Sequence, residues 1–395
     1  MRFHQVALLA LAALSTLPLQ AAAGADSAWQ FSGFATAGAV YTHSDELQFA
    51  RVGIDAPGGN KVDTGPDSVL GVQAGLQFGE RNAAVVQLVT RETQRGDYDP
   101  RAALAFVSHA LTPELTVRAG RLRSPFFMLS DNADINYNQT WVRPPVEVYG
   151  LNPFSDLDGI DLLHRSRIGE AFVELHPYVG RSSVPVIGGG RARLSDLLGM
   201  RVTVESGRLS LSAGYAQADL AVQRTTVSAL DPSPALASRL SGSGADASFS
   251  SLGLQWDDGR WLISTELART SISAFSNSAT SAYLSVGRRV GNLTPYVSVA
   301  RQRQDDPLAE LSIGSNDAER ELITTFNRTR NQAQRSITAG LRWDVLHNTA
   351  LKAEFAHVRT GTGAHGSFIA RDARFSSKLD QQSINLMSIS VDVVF

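Results

Sequence analysis

The last twelve residues of the chain alternate between apolar side chains and mostly small or polar ones. Every second position is apolar: Met387, Ile389, Val391, Val393 and Phe395. A period of two predicts a β-strand with one apolar face and one wet face. A soluble domain seldom ends with an aromatic residue on an uncovered strand, whereas a transmembrane barrel places such a residue in the aromatic girdle where lipid meets water. The pattern therefore favours a barrel that spans a membrane.

The same alternation recurs along the chain. Clear segments cover residues 69–78, 114–120, 198–204, 208–215, 261–267, 293–299 and 337–343, and weaker ones lie near Trp29, Ala84, Arg101, Ile160, Ala171, Phe249, Ala282 and Leu351. With the terminal strand we count about 16 strands, and about 14 or 18 remain as alternatives because strand boundaries shift by a few residues. A length of about ten residues is what a tilted strand needs to cross the hydrocarbon layer.

The connections between these segments alternate in length. The short ones, rich in Gly, Asn, Asp and Pro as tight hairpins require, are residues 79–82, 111–114, 205–208, 257–260 and 290–293. The long ones run roughly over residues 42–68, 122–157, 218–247, 304–333 and 360–383. The sequence thus predicts an all-β fold, a transmembrane antiparallel β-barrel with short periplasmic turns and long extracellular loops.

The N-terminus has the pattern of a secretory signal peptide. Arg2 and His4 precede an apolar run from Val6 to Leu19, and small residues follow it. We therefore expect a signal peptide at residues 1–25 and a single barrel domain over residues 26–395. No later segment has about 18 consecutive apolar residues, which argues against a helical membrane protein.

Composition narrows the functional classes. The chain has no cysteine, which excludes disulfides, thiolate metal sites and cysteine nucleophiles. Its formal net charge of -2 gives no basic face for nucleic acid. The hydrophobic share of 43% is ordinary for a soluble protein. A barrel is compatible with that value, because only every second strand residue has to be apolar.

The signal peptide, the alternating strands, the alternating loop lengths and the terminal Phe395 together resemble the Gram-negative outer-membrane porin superfamily, over essentially the whole mature chain. The resemblance implies that Phe395 is the signal read by the barrel-assembly machinery and that the protein is a homotrimer. The family usually carries a Pro-Glu-Phe-Gly-Gly-type stretch in its constriction loop. Arg143-Pro144-Pro145-Val146-Glu147 stands here instead, so the resemblance does not fix the pore size.

The segment 122–157 follows about five strands and is rich in aromatic residues and proline. Such a composition indicates a loop that packs against something rather than extending into water. Its position resembles that of the constriction loop of trimeric general porins, which implies that the segment folds into the lumen. Its acidic residues include Asp131, Asp134 and Glu147.

Five cations occupy the polar phase of predicted strands: Arg91, Arg118, Arg201, Arg342 and Lys352. We expect them to point inward, because a cation on the lipid side costs about 2–4 kcal/mol at the midplane. The acidic loop facing this basic wall would produce a transverse field across a wet lumen. The alternative is that these charges only solvate the lumen or pair with one another.

No motif assigns a catalytic, cofactor or metal site. The glycine pattern at residues 361–366 lacks the strand and helix of a dinucleotide fold. The aspartates of residues 156–161 have the density of a calcium loop but lack its downstream glutamate, and an Asp-Gly turn explains them. The eight histidines show no ligand spacing, and no local pattern links them to a nucleophile.

We therefore expect a porin in the outer membrane of a Gram-negative bacterium, in which ions and small hydrophilic solutes diffuse passively. Its partners would be outer-membrane lipid, other copies of the chain, periplasmic chaperones and the assembly machinery, with no nucleic acid. The alternatives are a solute-specific channel for anions or acidic metabolites, a closed barrel acting through its external loops as an enzyme or adhesin, and a secreted soluble β-protein.

Overall fold

The computed structural model describes residues 29–51, 61–93, 96–186, 190–224, 233–240, 242–305, 307, 309–372 and 380–395. The signal peptide predicted at residues 1–25 lies outside the described residues. Among them, no helix combines the length and the apolar character needed to cross a bilayer.

Alternating segments form sixteen long strands, which we number along the chain. They are β1 (Trp29–Thr42), β2 (Val69–Phe78), β3 (Asn82–Arg91), β4 (Arg101–Ala110), β5 (Leu115–Arg123), β6 (Asp156–Ile168), β7 (Ala171–Pro185), β8 (Gly190–Ser206), β9 (Leu209–Arg224), β10 (Ala245–Asp257), β11 (Trp261–Ile272), β12 (Ala279–Arg288), β13 (Leu293–Gln304), β14 (Gln334–Leu346), β15 (Thr349–Thr360) and β16 (Ser383–Val394). Each strand pairs antiparallel with the next, and β16 pairs with β1, so the sheet closes on itself. The predicted antiparallel barrel of about 16 strands is confirmed, and the alternative counts are wrong.

The last residue takes part in this closure. Gly33 and Phe395 exchange backbone hydrogen bonds, with N···O distances of 2.7 and 3.0 Å. The ring of Phe395 lies only 2.5 Å from where a Cβ on Gly33 would be. Because Gly33 has no Cβ, there is room for the ring of Phe395 beside β1.

The apolar phase of the strands faces outward. Side chains that a soluble core would bury are exposed on the outer surface, among them Leu70, Val72, Leu198, Leu252, Val297, Ile337, Met387 and Ile389. A continuous apolar surface of this kind calls for a lipid environment.

Loop lengths differ between the two ends of the barrel. Seven short turns lie at one end, the turn end, where β1 begins and β16 finishes. The five long connections lie at the opposite end, the loop end, as predicted. Three further connections at the loop end are shorter, namely those between β3 and β4, between β7 and β8, and between β11 and β12.

The long connections contain small elements that bind them together. The helices are α1 (Val146–Tyr149), α2 (Pro234–Leu240) and α3 (Asp317–Arg328), and 3-10 turns lie at Ser130–Asn132, Asn136–Asn138 and Leu311–Ile313. A short strand at Leu47–Phe49 pairs with another at Phe368–Ala370, and Val62–Asp63 pairs with β1. Buried Leu236 and Ile323 join α2 to α3.

The aspartate-rich segment 156–161 belongs to β6. Its three carboxylates form ion pairs across strands: Asp156 with Arg101, Asp158 with Arg121, and Asp161 with Arg118. Because these arginines on β4 and β5 neutralise the carboxylates, the segment can stay extended. The Asp-Gly turn predicted here is wrong, and the connection before β6 ends at residue 155.

Candidate functional site

The connection between β5 and β6, residues 124–155, is the inner loop. The backbone N–H of Met128 donates to Glu266 Oε1 on β11 at 2.9 Å. The indole Nε1–H of Trp141 donates to Ser285 Oγ on β12, also at 2.9 Å. Both acceptors share the phase of their strands that points away from the exposed apolar face. The inner loop therefore lies inside the barrel and reaches across to the strands of its far side.

Apolar packing covers one side of the inner loop. Phe126 and Phe127 contact the ring of Phe249 on β10, with centroid distances of 5.3 and 4.9 Å. Trp141 lies edge-on to Tyr283 at 5.6 Å. Each such pair contributes about 0.5–1.5 kcal/mol beyond area burial. The aromatic residues that distinguish this segment in the sequence thus form a packed core between loop and wall.

Two carboxylates of the wall hold the backbone of the inner loop. Glu354 on β15 accepts from Val142 N at 2.8 Å and from the Tyr296 hydroxyl at 2.6 Å. Glu266 accepts from the Tyr149 hydroxyl at 2.7 Å in addition to Met128 N. Donors from both loop and wall therefore satisfy these inward carboxylates.

The acidic side chains of the inner loop pair with arginines of the wall. Asp131 lies 2.6 Å from Arg201 Nη2. Asp134 lies 2.6 Å from Arg123 Nη2 and 3.0 Å from Arg91 Nη1. Burial alone would raise the pKa of Asp134, but the two guanidinium groups outweigh burial and hold the pKa well below its usual range. Asp134 is therefore ionised and fastens the loop to β3 and β5.

Glu147 and Arg342 make further polar contacts between the inner loop and β14. Glu147 Oε1 accepts from Gln334 Nε2 on β14 at 2.9 Å. Arg342, also on β14, donates from Nη1 to the carbonyl oxygen of Gln139 at 2.8 Å, while its Nη2 lies 2.7 Å from Asp344. Glu147 is thus bound to a neutral amide, and Arg342 is paired with a carboxylate of its own strand.

Arg118 stands apart from the inner loop. Its Nε donates to Asp161 Oδ1 at 2.8 Å, and Asp161 Oδ2 also lies 2.7 Å from His176 Nε2. These contacts join β5, β6 and β7. Of the eight residues proposed from the sequence as a pore constriction, all but Arg118 belong to the inner loop or contact it, Lys352 included. Their role as a constriction stays a prediction.

One further contact of the inner loop could not be predicted from the sequence. Arg143 Nε donates to Asp67 Oδ1 at 2.6 Å, and its Nη2 donates to Ser388 Oγ at 2.8 Å and to Asp67 Oδ2. Arg143 also covers the ring of Phe49, 4.7 Å from its centroid. Asp67 precedes β2, and no local pattern joins it to Arg143. The carboxylates of Glu266 and Glu354, in contrast, could have been found by counting strand phase.

No protein-family model matches the chain, and a comparison with curated proteins finds no match. Several solved structures share its fold. Salmonella typhi OmpF, in complex with daunomycin, has a TM-score of 0.56 at 12% identity, over 93% of this chain and 97% of that chain. The outer membrane channel DcaP of Acinetobacter baumannii has a TM-score of 0.55 at 13% identity, over the same shares of the two chains.

A loop-deletion mutant of OmpT, an outer membrane protein of Vibrio cholerae, has a TM-score of 0.53 at 12% identity. The match covers 93% of this chain and 100% of that chain. At such identities the similarity concerns the fold. The resemblance inferred from the sequence is therefore confirmed at that level: the chain is a sixteen-stranded barrel, and its fold is similar to those of outer-membrane proteins of known structure.

Proposed function

We propose that this protein is a channel in the outer membrane of a Gram-negative bacterium, through which ions and small hydrophilic solutes diffuse. The observation that carries the proposal is a closed sixteen-stranded barrel with an apolar exterior and with charged side chains and a folded loop inside. A barrel of about 16–18 strands is wide enough to leave an aqueous passage. The inner loop would narrow that passage, and the proposal includes no catalytic role.

The paired charges inside the barrel favour weak selectivity between anions and cations. Arg201 is joined to Asp131, and Arg118 to Asp161. Opposite charges in contact largely cancel at a distance, so the field across the lumen would be short-ranged. A channel specific for anions or acidic metabolites would need inward arginines without such partners. Charge reversal at Arg118 and Arg342 tests the point: an unchanged ratio of anion to cation permeability removes both from the constriction.

The proposed partners follow from the barrel surface and from a structural neighbour. Lipid would cover the apolar exterior, and the closing contact of Phe395 would form during insertion by the barrel-assembly machinery, after delivery by periplasmic chaperones. OmpT of Vibrio cholerae, similar in fold at 13% identity with a TM-score of 0.52, is described in a trimer form. We propose a homotrimer for this chain as well.

A closed barrel that acts through its external loops is the second candidate. The observation in its favour is the density of contacts around the inner loop, which binds Glu266 on β11, Lys352 and Glu354 on β15, and Arg201 on β8. Together with the aromatic core, these contacts could leave no continuous passage.

Conductance separates the two candidates. Purified protein whose folded state is verified by a heat-modifiable gel shift would be placed in a planar bilayer under a salt gradient. We expect discrete, stable current steps, in groups of three for a homotrimer. A variant with Arg143→Gln and Asp67→Asn, which removes one attachment of the inner loop, would be recorded in parallel. Silence of the folded wild type beside conduction by the variant would establish a closed barrel, and silence of both would overturn the channel.

A further inference from the structure

Three arginines lie on the outer face of the barrel, on the same side as the lipid-facing residues. They are Arg301 on β13, Arg335 on β14 and Arg359 on β15, and all three are exposed. Arg301 is two positions from exposed Val299, and Arg335 is two positions from exposed Ile337. Because side chains two positions apart share a face of a strand, these arginines point outward.

The three arginines form a row across neighbouring strands. Arg301 is the register partner of Arg335, and Arg335 is the register partner of Arg359. Like charges placed directly opposite on one face of a sheet destabilise the pair of strands. Within the part of the chain that the structure describes, no carboxylate pairs with any of the three. Asp305, just after β13, pairs with Arg269 at 3.1 Å and with Arg303 at 3.5 Å.

Other outward arginines have different neighbours. Arg121 on β5 also points outward, and Asp158 on β6 neutralises it with an Nε–Oδ1 distance of 2.7 Å. Arg193 on β8 points outward too, but its register partners are Ala221 and Ser183. Among the described residues, the direct opposition of arginines that lack a carboxylate partner is therefore a property of the row on β13, β14 and β15, in which Arg359 Nε donates to the neighbouring His357 at 3.2 Å.

The row stands at the border of the apolar exterior, towards the loop end. On β14 the exposed apolar positions run from Val345 to Ile337, and Arg335 is the next outward position. Arg335 is ten residues from Val345, which is about 33 Å of strand at about 3.3 Å per residue. A strand tilt of about 45° reduces this to about 23 Å across the membrane, close to the height of about 25 Å of the apolar band of such barrels. The guanidinium groups thus lie where lipid headgroups begin.

The row also lines a groove of about 590 Å³. Arg303, Gln381, Thr362 and Ser383 contribute to the same groove, and none of its lining residues is acidic. The groove therefore presents guanidinium donors beside neutral polar groups, which suits an anion with several oxygen atoms. Guanidinium groups bind phosphate through paired hydrogen bonds.

We propose that this arginine row binds a phosphate group of a lipid in the outer leaflet. The anion would remove the repulsion between the three cations, and the apolar positions below the row would contact the acyl chains. The inference rests on the membrane location proposed above but not on conduction, so a closed barrel would bind the lipid equally well.

A stability measurement tests the row directly. The triple variant with Arg301→Gln, Arg335→Gln and Arg359→Gln is compared with the wild type and with Arg193→Gln, which removes an outward arginine outside the row. The probe is diphosphoryl lipid A added to micelles of neutral detergent, and the readout is the temperature at which the folded gel band disappears. We expect lipid A to raise this temperature for the wild type and for Arg193→Gln, because a ligand of the folded state stabilises it. The triple variant should show no rise.

Lipid binding itself gives the second readout. We expect the triple variant to bind lipid A at least tenfold more weakly than the wild type. If the triple variant does not fold, the single variant Arg335→Gln is measured in its place. An equal rise in unfolding temperature for wild type and triple variant would overturn the proposal. So would full competition by equimolar inorganic phosphate, which would assign the row to a free anion. A change of oligomeric state in the triple variant without lipid would also overturn it and assign the row to a contact between copies. Conductance of the triple variant, recorded alongside, reports on the channel independently.

Discussion

Lys352 and Asp392 form an ion pair between β15 and β16, with 2.9 Å from Nζ to Oδ2, and both side chains are completely buried. The same ammonium group donates to the carbonyl oxygens of Asn136 at 2.6 Å and Trp141 at 2.8 Å. One lysine therefore connects the last strand of the barrel to the inner loop. Its three acceptors replace the hydrogen bonds to water that the ammonium group loses on burial.

Removing this lysine alone should destabilise the barrel strongly. Lys352→Met leaves Asp392 buried and unpaired, and breaking one side of a buried pair costs about 3–5 kcal/mol. The double variant with Lys352→Met and Asp392→Asn loses the same contacts to the inner loop but leaves no lone charge. We expect the folded gel band of the single variant to disappear at a clearly lower temperature than that of the double variant. Equal temperatures would show that the lost contacts between Lys352 and the inner loop, and not the unpaired carboxylate of Asp392, cause the loss of stability.

The contact between Arg143 and Asp67 should control the width of the passage. Arg143→Gln with Asp67→Asn removes both charges at similar side-chain size, so the inner loop loses its attachment near β2 and β16. We expect a larger and noisier single-channel current than in the wild type. Arg289→Gln with Asp257→Asn is the matched control, because that pair (2.7 Å from Nη2 to Oδ2) joins the turn end of β10 to the residue after β12, away from the inner loop. A current equal to that of the control would mean that the inner loop does not limit the flow.

The faces of the strands could be predicted from the sequence, whereas the course of the inner loop could not. Period-two alternation places every side chain of a strand once one face is assigned, so Ile337 and Ile389 are found outside as expected. Arg143 and Asp67 are 76 residues apart and lie in different connections, and only the folded barrel brings them together. The partner of an inward charge therefore depends on closure of the sheet, which a local pattern does not contain.

The partners of the predicted cations also depend on how the strands of the barrel align. Their inward direction follows from strand phase, but Arg118 faces Asp161 because β5 and β6 align these two residues in register. The sequence suggested an Asp-Gly turn within residues 156–161. A dense group of aspartates is costly in a strand without counter-charges. The neighbouring arginines remove that cost, which is why β6 begins as early as Asp156.

Gly340 should be sensitive to a single methyl group. A Cβ at this position would lie 2.2 Å from Cζ of Tyr296, so Gly340→Ala must displace the ring and its hydrogen bond to Glu354. Gly287→Ala is the matched control: its Cβ would lie 3.4 Å from Thr294 Cγ2 and 3.5 Å from Cβ of the same tyrosine. We expect a lower unfolding temperature for Gly340→Ala, by the equivalent of about 1–3 kcal/mol as for other overpacked sites. The control should stay near the wild type, and equal losses in both would contradict the assigned cause.

Glu92, just after β3 at the loop end, should make stability depend on pH. Burial raises the pKa of Glu92 to about 7, and the nearby Asp63 adds to the effect. The unfolded chain has the usual value of 4.5, so it releases this proton first as the pH rises. The folded state therefore loses stability between about pH 4.5 and 7 and no further above that window.

The temperature at which the folded gel band disappears measures this loss. Glu92→Gln should have the same temperature as the wild type near pH 4.5 and a higher one at pH 8. Glu80→Gln, in an exposed turn at the opposite end, controls for the loss of one carboxylate, and a gain of the same size in that variant would contradict the assignment to Glu92.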